Sequence, residues 1–312
     1  MERILITGGN GFLGKELAKV LSNDGQVFLG SRNNKNNRLA TLQTNYPCIP
    51  LDITNIESVR DVFRYVKPTI VIHAAATKFV DLSEEFPFET IDVNIIGSEN
   101  ISRVSMENKI NLVIGISTDK AAPPCRNIYA ISKALMERLF CRCNDTTSTN
   151  FLCVRYGNVA WSTGSVLTVW KEMIKDKNLI TTCGQEMYRY MFTVKDAAKF
   201  VQRALKNQKL LAGKVISMDM KSLQIKDMLK VVKQISGCET KSIEQREGER
   251  MTEFLVGQEE LSMTEIIYLD KLRHYSIDFK RHDLKELDKP VSAETSPKLT
   301  DYEIQNIVNG II

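Results

Sequence analysis

Nowhere in the chain do about 18 apolar residues run together, the length a helix needs to cross a bilayer, so no membrane span is expected. Basic blocks are missing too. A formal charge of +4, with 26% charged residues of mixed sign, leaves no cluster able to neutralise many phosphates, which argues against a nucleic-acid partner. The cysteines offer no disulfide framework: Cys48, Cys125, Cys141, Cys143, Cys153, Cys183 and Cys238 are odd in number and scattered, with no secretory leader pattern before them. Reduced thiols and a cytoplasmic location are the expectation. Cys141 and Cys143 form a lone C-x-C with no second cysteine or histidine pair at metal spacing, so no metal is expected. There is no internal repeat, low-complexity tract or charged tail. At 312 residues the chain exceeds the size at which one core usually stops growing, which predicts one large α/β domain with a smaller annex.

The clearest local signal is at the start. A strand over Arg3 to Thr7 runs into Gly8-Gly9-Asn10-Gly11-Phe12-Leu13-Gly14 and then a helix. Glycines at 8, 11 and 14 in a strand-turn-helix let backbone amides approach a pyrophosphate, with the positive end of the helix behind them. A second strand, Gln26 to Gly30, ends in Ser31-Arg32, where an NAD-binding sheet usually places an acid against the ribose hydroxyl. A guanidinium there suits a 2′-phosphate, so NADP is expected before NAD, with Ser31 and Arg32 as its readers. Further strands are predicted near Cys48 to Leu51, followed by Asp52-Ile53 beside the adenine, and over Thr69 to His73, followed by the small Ala74 and Ala75. Thr54 and Glu57 have capping-box spacing for a helix over Ile56 to Val66. His73 reads as a packed, hydrogen-bonded residue. Lys78 stands where open α/β sheets bind ligands, though a solvated lysine fits equally well.

A long helix is predicted from about Phe88 to Glu107, with Asn94 as a buried bracket near the site. The strand Leu112 to Ile116 then delivers Ser117-Thr118-Asp119-Lys120, and a helix beginning at Tyr129 carries Lys133. Four residues apart on a helix, Tyr129 and Lys133 share a face, which predicts an ammonium that lowers the pKa of the phenol. With a strand over Phe151 to Tyr156, the alternation predicts a Rossmann-type, doubly wound parallel sheet. The expected division is a dinucleotide-binding domain over 1–160, completed by about 193–219, and a substrate lobe over 161–192 and 220–312. Lys271 to Lys285 reads as a solvated face, and Thr300 to Ile312 as a docking helix opened by a Thr300–Glu303 capping box.

Together these motifs resemble the extended short-chain dehydrogenase/reductase family, and within it the inverting UDP-N-acetylglucosamine 4,6-dehydratases. The resemblance is carried by H-A-A-A-T-K at His73 to Lys78, S-T-D-K-A at Ser117 to Ala121, Tyr129 with Lys133, R-Y-G-N-V at Arg155 to Val159 and R-E-G-E-R at Arg246 to Arg250. It implies a homo-oligomer acting on a UDP-sugar, with catalytic Thr118, Asp119, Lys120, Tyr129 and Lys133. It further implies a cofactor site of Gly8, Gly11, Phe12, Leu13, Gly14, Ser31, Arg32, Asp52, Ile53, Ala74 and Ala75, with Tyr129 and Lys133 touching the cofactor as well, and substrate contacts from Lys78, Asn158, Arg189, Arg246 and Glu249. In that chemistry Tyr129 is the base for oxidation at carbon 4, Lys120 the base at carbon 5 and Asp119 the acid for water loss at carbon 6. Adjacency favours the charged forms of Asp119 and Lys120, so either desolvation by bound sugar dominates or the two side chains point apart. Phe79, Trp161, Thr163 and Glu247 depart from the family pattern. A nucleotide-sugar 4-epimerase needs the tyrosine and lysine but not the Asp-Lys pair, and a non-catalytic cofactor sensor needs neither.

Overall fold

A computed structural model describes residues 1–244 and 249–312. Near-continuous apolar runs form its central sheet: Ile4, Leu5 and Ile6, Ile70 to Ile72, Leu112 to Ile114 and Phe151 to Val154 are all buried. Runs of this kind belong to parallel strands covered on both faces, each large apolar side chain contributing ~1.5–3 kcal/mol on burial. In chain order β1 (Arg3–Thr7), α1 (Phe12–Leu21), β2 (Gln26–Ser31), α2 (Asn34–Thr44), β3 (Cys48–Pro50), α3 (Ile56–Val66) and β4 (Ile70–His73) alternate. They are followed by α4 (Val80–Glu85), α5 (Pro87–Thr90), α6 (Gly97–Glu107), β5 (Leu112–Ile116), α7 (Ile128–Cys143) and β6 (Asn150–Arg155).

The sheet has nine strands, in the order Thr264–Leu269, Leu272–Ile277, Val215–Met218, β6, β5, β4, β1, β2, β3. The seven from Val215–Met218 to β3 are parallel, and the two at the other edge are antiparallel. The doubly wound sheet is therefore as expected, with its switch point between β1 and β4, where the glycine turn emerges. A second apolar core, with Leu167, Trp170, Met187, Met228 and Leu229 at its centre, forms under the helices Val166–Lys177 and Ile225–Ser236 and receives Ile304, Ile307 and Val308 of the C-terminal helix Asp301–Val308. That helix is capped as predicted, Thr300 Oγ1 accepting from Glu303 N and Glu303 Oε2 from Thr300 N.

Two local expectations are corrected. Residues 264–277, expected in the lobe and partly as a solvated face, supply the antiparallel edge of the main sheet. Charged Arg273 masked a strand whose His274, Tyr275, Ser276 and Ile277 are buried. The cap of α3 is Asn55, which accepts from Glu57 N and Ser58 N, while Thr54 bonds to Asp52. The helix expected from about Phe88 to Glu107 is present as one continuous run, made of α5, a π-helical turn Ile91–Ile96 and α6. That turn carries Asn94, whose amide meets Thr77 N, Thr77 O and Ser132 Oγ, the bracketing role expected of it. No helix among the described residues is long and apolar enough to cross a membrane.

Candidate active site

A cavity of about 1030 Å³ opens along the carboxyl ends of the parallel strands and runs from the glycine turn into the lobe. At one end Gly8 has φ +68°, and a Cβ on it would lie 2.9 Å from Ala75 Cα, while one on Gly14 would lie 2.6 Å from Gly8 O. The turn and the Ala74-Ala75 backbone thus approach as closely as glycine and alanine allow, leaving a cradle that fits a dinucleotide pyrophosphate. Gly8, Gly11, Phe12, Leu13, Gly14, Ser31, Arg32, Ile53, Ala74 and Ala75 line this end; Asp52 does not. The Asp52 carboxylate instead accepts from Thr54 N and Thr54 Oγ1, closing its own turn. Arg32 is exposed at the rim, 4.0 Å from Glu89. Asn10, Asn33 and Asn36, which sequence reasoning missed, stand beside it.

Below the cradle His73 is fully buried, bonded to Thr7 Oγ1 at 2.9 Å and Ser98 Oγ at 3.1 Å. Burial, with help from the Lys133 charge, pushes its pKa down to about 3, so it remains a neutral bracket as anticipated.

At the middle of the cavity the chain leaves β5 through Ser117 and Thr118 into a 3-10 turn, Asp119–Ala121. Because a turn and not a strand carries the pair, Asp119 and Lys120 do not point apart: Lys120 Nζ lies 3.3 Å from Asp119 Oδ1. It also lies 3.2 Å from Glu253 Oε1, a residue that sequence reasoning did not single out. Lys120 reaches the cavity, while Asp119 is fully buried behind it. The other Asp119 oxygen, Oδ2, has no hydrogen-bond partner among the described residues and would be 3.2 Å from a Cβ on Gly157. Gly157 lines the cavity and has no side chain to lie against that oxygen. Burial raises the Asp119 pKa, partly offset by Lys120. For Lys120, burial acts to lower the pKa but is outweighed by Asp119 and Glu253, leaving it raised.

Tyr129 and Lys133 sit on the first turns of α7, whose Asn127 cap accepts from Ala130 N at 2.8 Å. The expected influence of Lys133 on the phenol is not what is found. Burial raises the Tyr129 pKa, and the charge of Lys120, followed by a hydrogen bond with Thr118, draws it back. Lys133 Nζ points to Met136 Sδ at 3.3 Å, and burial lowers its pKa to about 8. Thr118 Oγ1 also donates to Asp119 Oδ1 at 3.0 Å, so one hydroxyl touches both the Tyr129 phenol and the Asp119 carboxyl group.

Residues from both the main domain and the lobe supply the remaining wall. Lys78, Asn158, Arg189 and Glu249 all line the cavity. Burial lowers the pKa of Lys78, and its Nζ lies 5.7 Å from the centre of the Phe79 ring. Asn158 Nδ2 donates to Tyr190 O, and Arg189 bonds Tyr188 O and stands 3.8 Å from Glu249. Arg246 and Glu247 lie outside the described residues. The final arginine of their motif is a clamp: Arg250 Nη2 donates to the carbonyls of Lys120, Ala122 and Pro124, fixing the turn that presents Asp119 and Lys120. Phe79 packs on Gly164, and Trp161, at φ +64°, donates from Nε1 to Ile307 O at 2.7 Å, so these two departures from the family pattern meet the loop that borders the cavity.

The model of the polysaccharide biosynthesis protein family matches residues 4–269. The chain belongs to this family. It is 33% identical over 318 residues to a UDP-glucose 4-epimerase of Rickettsia bellii, covering 97% of this chain and 91% of the relative. It is 32% identical over 292 residues to the capsular polysaccharide biosynthesis protein CapD of Staphylococcus aureus, covering 87% of this chain and 48% of that longer protein. Among solved structures, Pen from Bacillus thuringiensis superposes with a TM-score of 0.89 at 25% identity, covering 99% of this chain and 97% of the other. DesIV, a dTDP-glucose 4,6-dehydratase from Streptomyces venezuelae, shares the fold with a TM-score of 0.71 at 16% identity, covering 80% and 86%. The extended short-chain dehydrogenase/reductase fold expected from the sequence is thereby established.

Proposed function

We propose that this protein is a nucleotide-sugar 4,6-dehydratase that converts UDP-N-acetylglucosamine to a UDP-4-keto-6-deoxy-hexosamine with inversion at carbon 5, for surface-glycan synthesis. The observation that carries the reading is the contact of Lys120 with Asp119 at the cavity that also holds Tyr129. A bound nicotinamide cofactor supplies the removal and return of a hydride. Tyr129 takes the proton of the hydroxyl at carbon 4, and the resulting ketone acidifies carbon 5. Lys120 takes the carbon 5 proton as a free amine, and Asp119 protonates the departing hydroxyl of carbon 6. Transfer of one proton across the 3.3 Å contact turns the ammonium–carboxylate pair into the amine and carboxylic acid that these roles require. A sugar that excludes water from the pair favours this neutral form. Lys78, Asn158, Arg189, Arg246 and Glu249 are proposed to hold the substrate, with Arg189 and Arg246 on the diphosphate. Exposed Leu82, Phe88, Ile131 and Leu135 on α4, α5 and α7, with Phe86 between α4 and α5, support a homo-oligomer.

Incubation with UDP-N-acetylglucosamine deuterated at carbon 4 is expected to give a product lighter by one water, with the label at carbon 6. In heavy water it should also gain one solvent deuterium at carbon 5. The Rickettsia relative's name favours a second reading, a 4-epimerase. Proton NMR that finds the 6-hydroxyl retained and the label still on carbon 4 would establish the epimerase instead.

NADP is the proposed cofactor, supported by Arg32 and Ser31 at the adenosine end of the cavity. Arg32→Glu is expected to weaken NADP binding about 10–100-fold, since a hydrogen bond to a charged group contributes ~1.5–3 kcal/mol, while leaving NAD binding little changed. Calorimetric titration with both cofactors checks this, and an unchanged NADP affinity removes Arg32 from the site.

A further inference from the structure

Glu253 is a buried carboxylate whose position no local pattern explains. It precedes the strand Phe254–Val256, is 2% exposed, and its backbone carbonyl accepts from Ala293 N. One carboxylate oxygen, Oε1, is 3.2 Å from Lys120 Nζ. The other, Oε2, lies 3.5 Å from Arg250 Nη1 and has no hydrogen-bond partner among the described residues. Lys120 is therefore held between two carboxylates at nearly equal distance, Asp119 on its own turn and Glu253 from a distant segment. Arg250 ties both ends together: it faces Glu253 and grips the carbonyls of the turn that carries Lys120.

We propose that Glu253 is a positioning residue, which anchors the Lys120 amine and governs where the proton shared by Lys120 and Asp119 resides. This rests on the reading of Asp119 and Lys120 as acid and base. A carboxylate bonded only to Lys120 would serve a structural ion pair. Glu253, however, faces a base whose second partner is the acid, so its charge acts on both. Its negative charge favours the ammonium of Lys120 and disfavours a second negative charge on Asp119. It thus raises the proton affinity of both groups, strengthening Lys120 as a base and letting Asp119 hold a proton to higher pH, while the neutral amine–acid form still comes from proton transfer across the pair when bound sugar excludes water. Among the described residues, the other charged or titratable groups that act on the pair are Arg189 and Tyr129, with Glu249 against Arg189 and Arg250 against Glu253. All of these remain when Glu253 alone loses its charge.

The test uses the full chain with Glu253→Gln, which keeps the size and removes the charge. Trace acetylation with acetic anhydride across a pH series, read by mass spectrometry on the Lys120 peptide, gives the midpoint at which that amine becomes reactive. Removing an opposite charge this close is expected to lower the midpoint by about 1–3 pH units. The pH profile of water loss should move to lower pH as a whole. A role in packing alone would change the rate at every pH and leave both midpoints where they were, and that result overturns the proposal. Should Glu253→Gln not fold, Glu253→Asp keeps the charge but withdraws it by one methylene. A partial fall of the Lys120 midpoint then supports the proposal and an unchanged midpoint overturns it. The labelling needs no substrate. A wild-type enzyme that removes no water from UDP-N-acetylglucosamine would therefore end the dehydratase reading, while the midpoint still decides whether Glu253 controls the amine.

Discussion

Asp119→Asn is expected to separate two halves of the reaction, leaving oxidation at carbon 4 measurable while water loss falls about 10²–10⁴-fold, the usual contribution of a positioned general acid. The side chain keeps its shape, so the turn and the Thr118 contact at 3.0 Å persist. An amide, however, has no acidic proton to give a departing hydroxyl. Tyr129→Phe behaves differently, because the phenol acts first: both oxidation and water loss should disappear together. The Lys120 charge and the Thr118 hydrogen bond, which draw the raised phenol pKa back down, have nothing to act on in that variant. Rapid-mixing absorbance of the reduced nicotinamide follows the first half and mass spectrometry of the product the second. Full dehydration by the Asp119 variant would remove that residue as the acid, and normal oxidation by the Tyr129 variant would remove the tyrosine as the base.

What could be read in the sequence was what short-range pattern encodes. The glycine turn between β1 and α1 sits where a strand period gives way to a helix period, and its geometry follows from glycine at 8 and 14. Asn94 and His73 were legible as brackets because a polar residue in an apolar stretch has to find partners, and both do. Orientation was less legible. Residues four apart on a helix share a face, yet Lys133 turns to Met136 and it is Lys120, from another element, that acts on the phenol. Adjacent residues at a strand end alternate sides, yet Asp119 and Lys120 sit on a 3-10 turn and meet. The strand Leu272–Ile277 was hidden because Arg273 lies at its exposed start, and its pairing with Val215–Met218 is a long-range fact. Glu253 and the partners of Arg250 and Arg155 were beyond reach for the same reason: nothing near them in the chain announces which groups they will meet.

Arg155 carries the largest expected effect on stability. It is fully buried on β6, with Nε and Nη2 on the two oxygens of Glu137 at 3.0 and 2.7 Å and Nη1 and Nη2 on those of Glu260 at 2.7 and 2.8 Å. Nη1 also donates to Leu255 O at 3.0 Å. Glu137 lies on α7, one turn beyond Lys133, and Leu255 follows two residues after Glu253. The guanidinium therefore locks the helix of Tyr129 and the segment of Glu253 to the same strand. Arg155→Leu leaves two carboxylates buried without their cation and is expected to cost about 3–5 kcal/mol, read by urea denaturation. The sign of its pH dependence follows. Stranded carboxylates have folded-state pKa values raised above the unfolded ones, so the penalty is fully present above the raised values and shrinks as pH falls through them. The variant should thus lie closer to wild type at pH 5 than at pH 8. Replacing all three charges with apolar residues, Arg155→Leu with Glu137→Met and Glu260→Met, should recover much of the loss, because buried ion networks are often no more stable than packed hydrophobic ones. That triple variant separates stability from placement. If the network serves to hold α7 in register, the recovered protein still loses the Tyr129 and Lys120 geometry and turns over slowly, and a triple variant of full activity would show that packing alone sets the site.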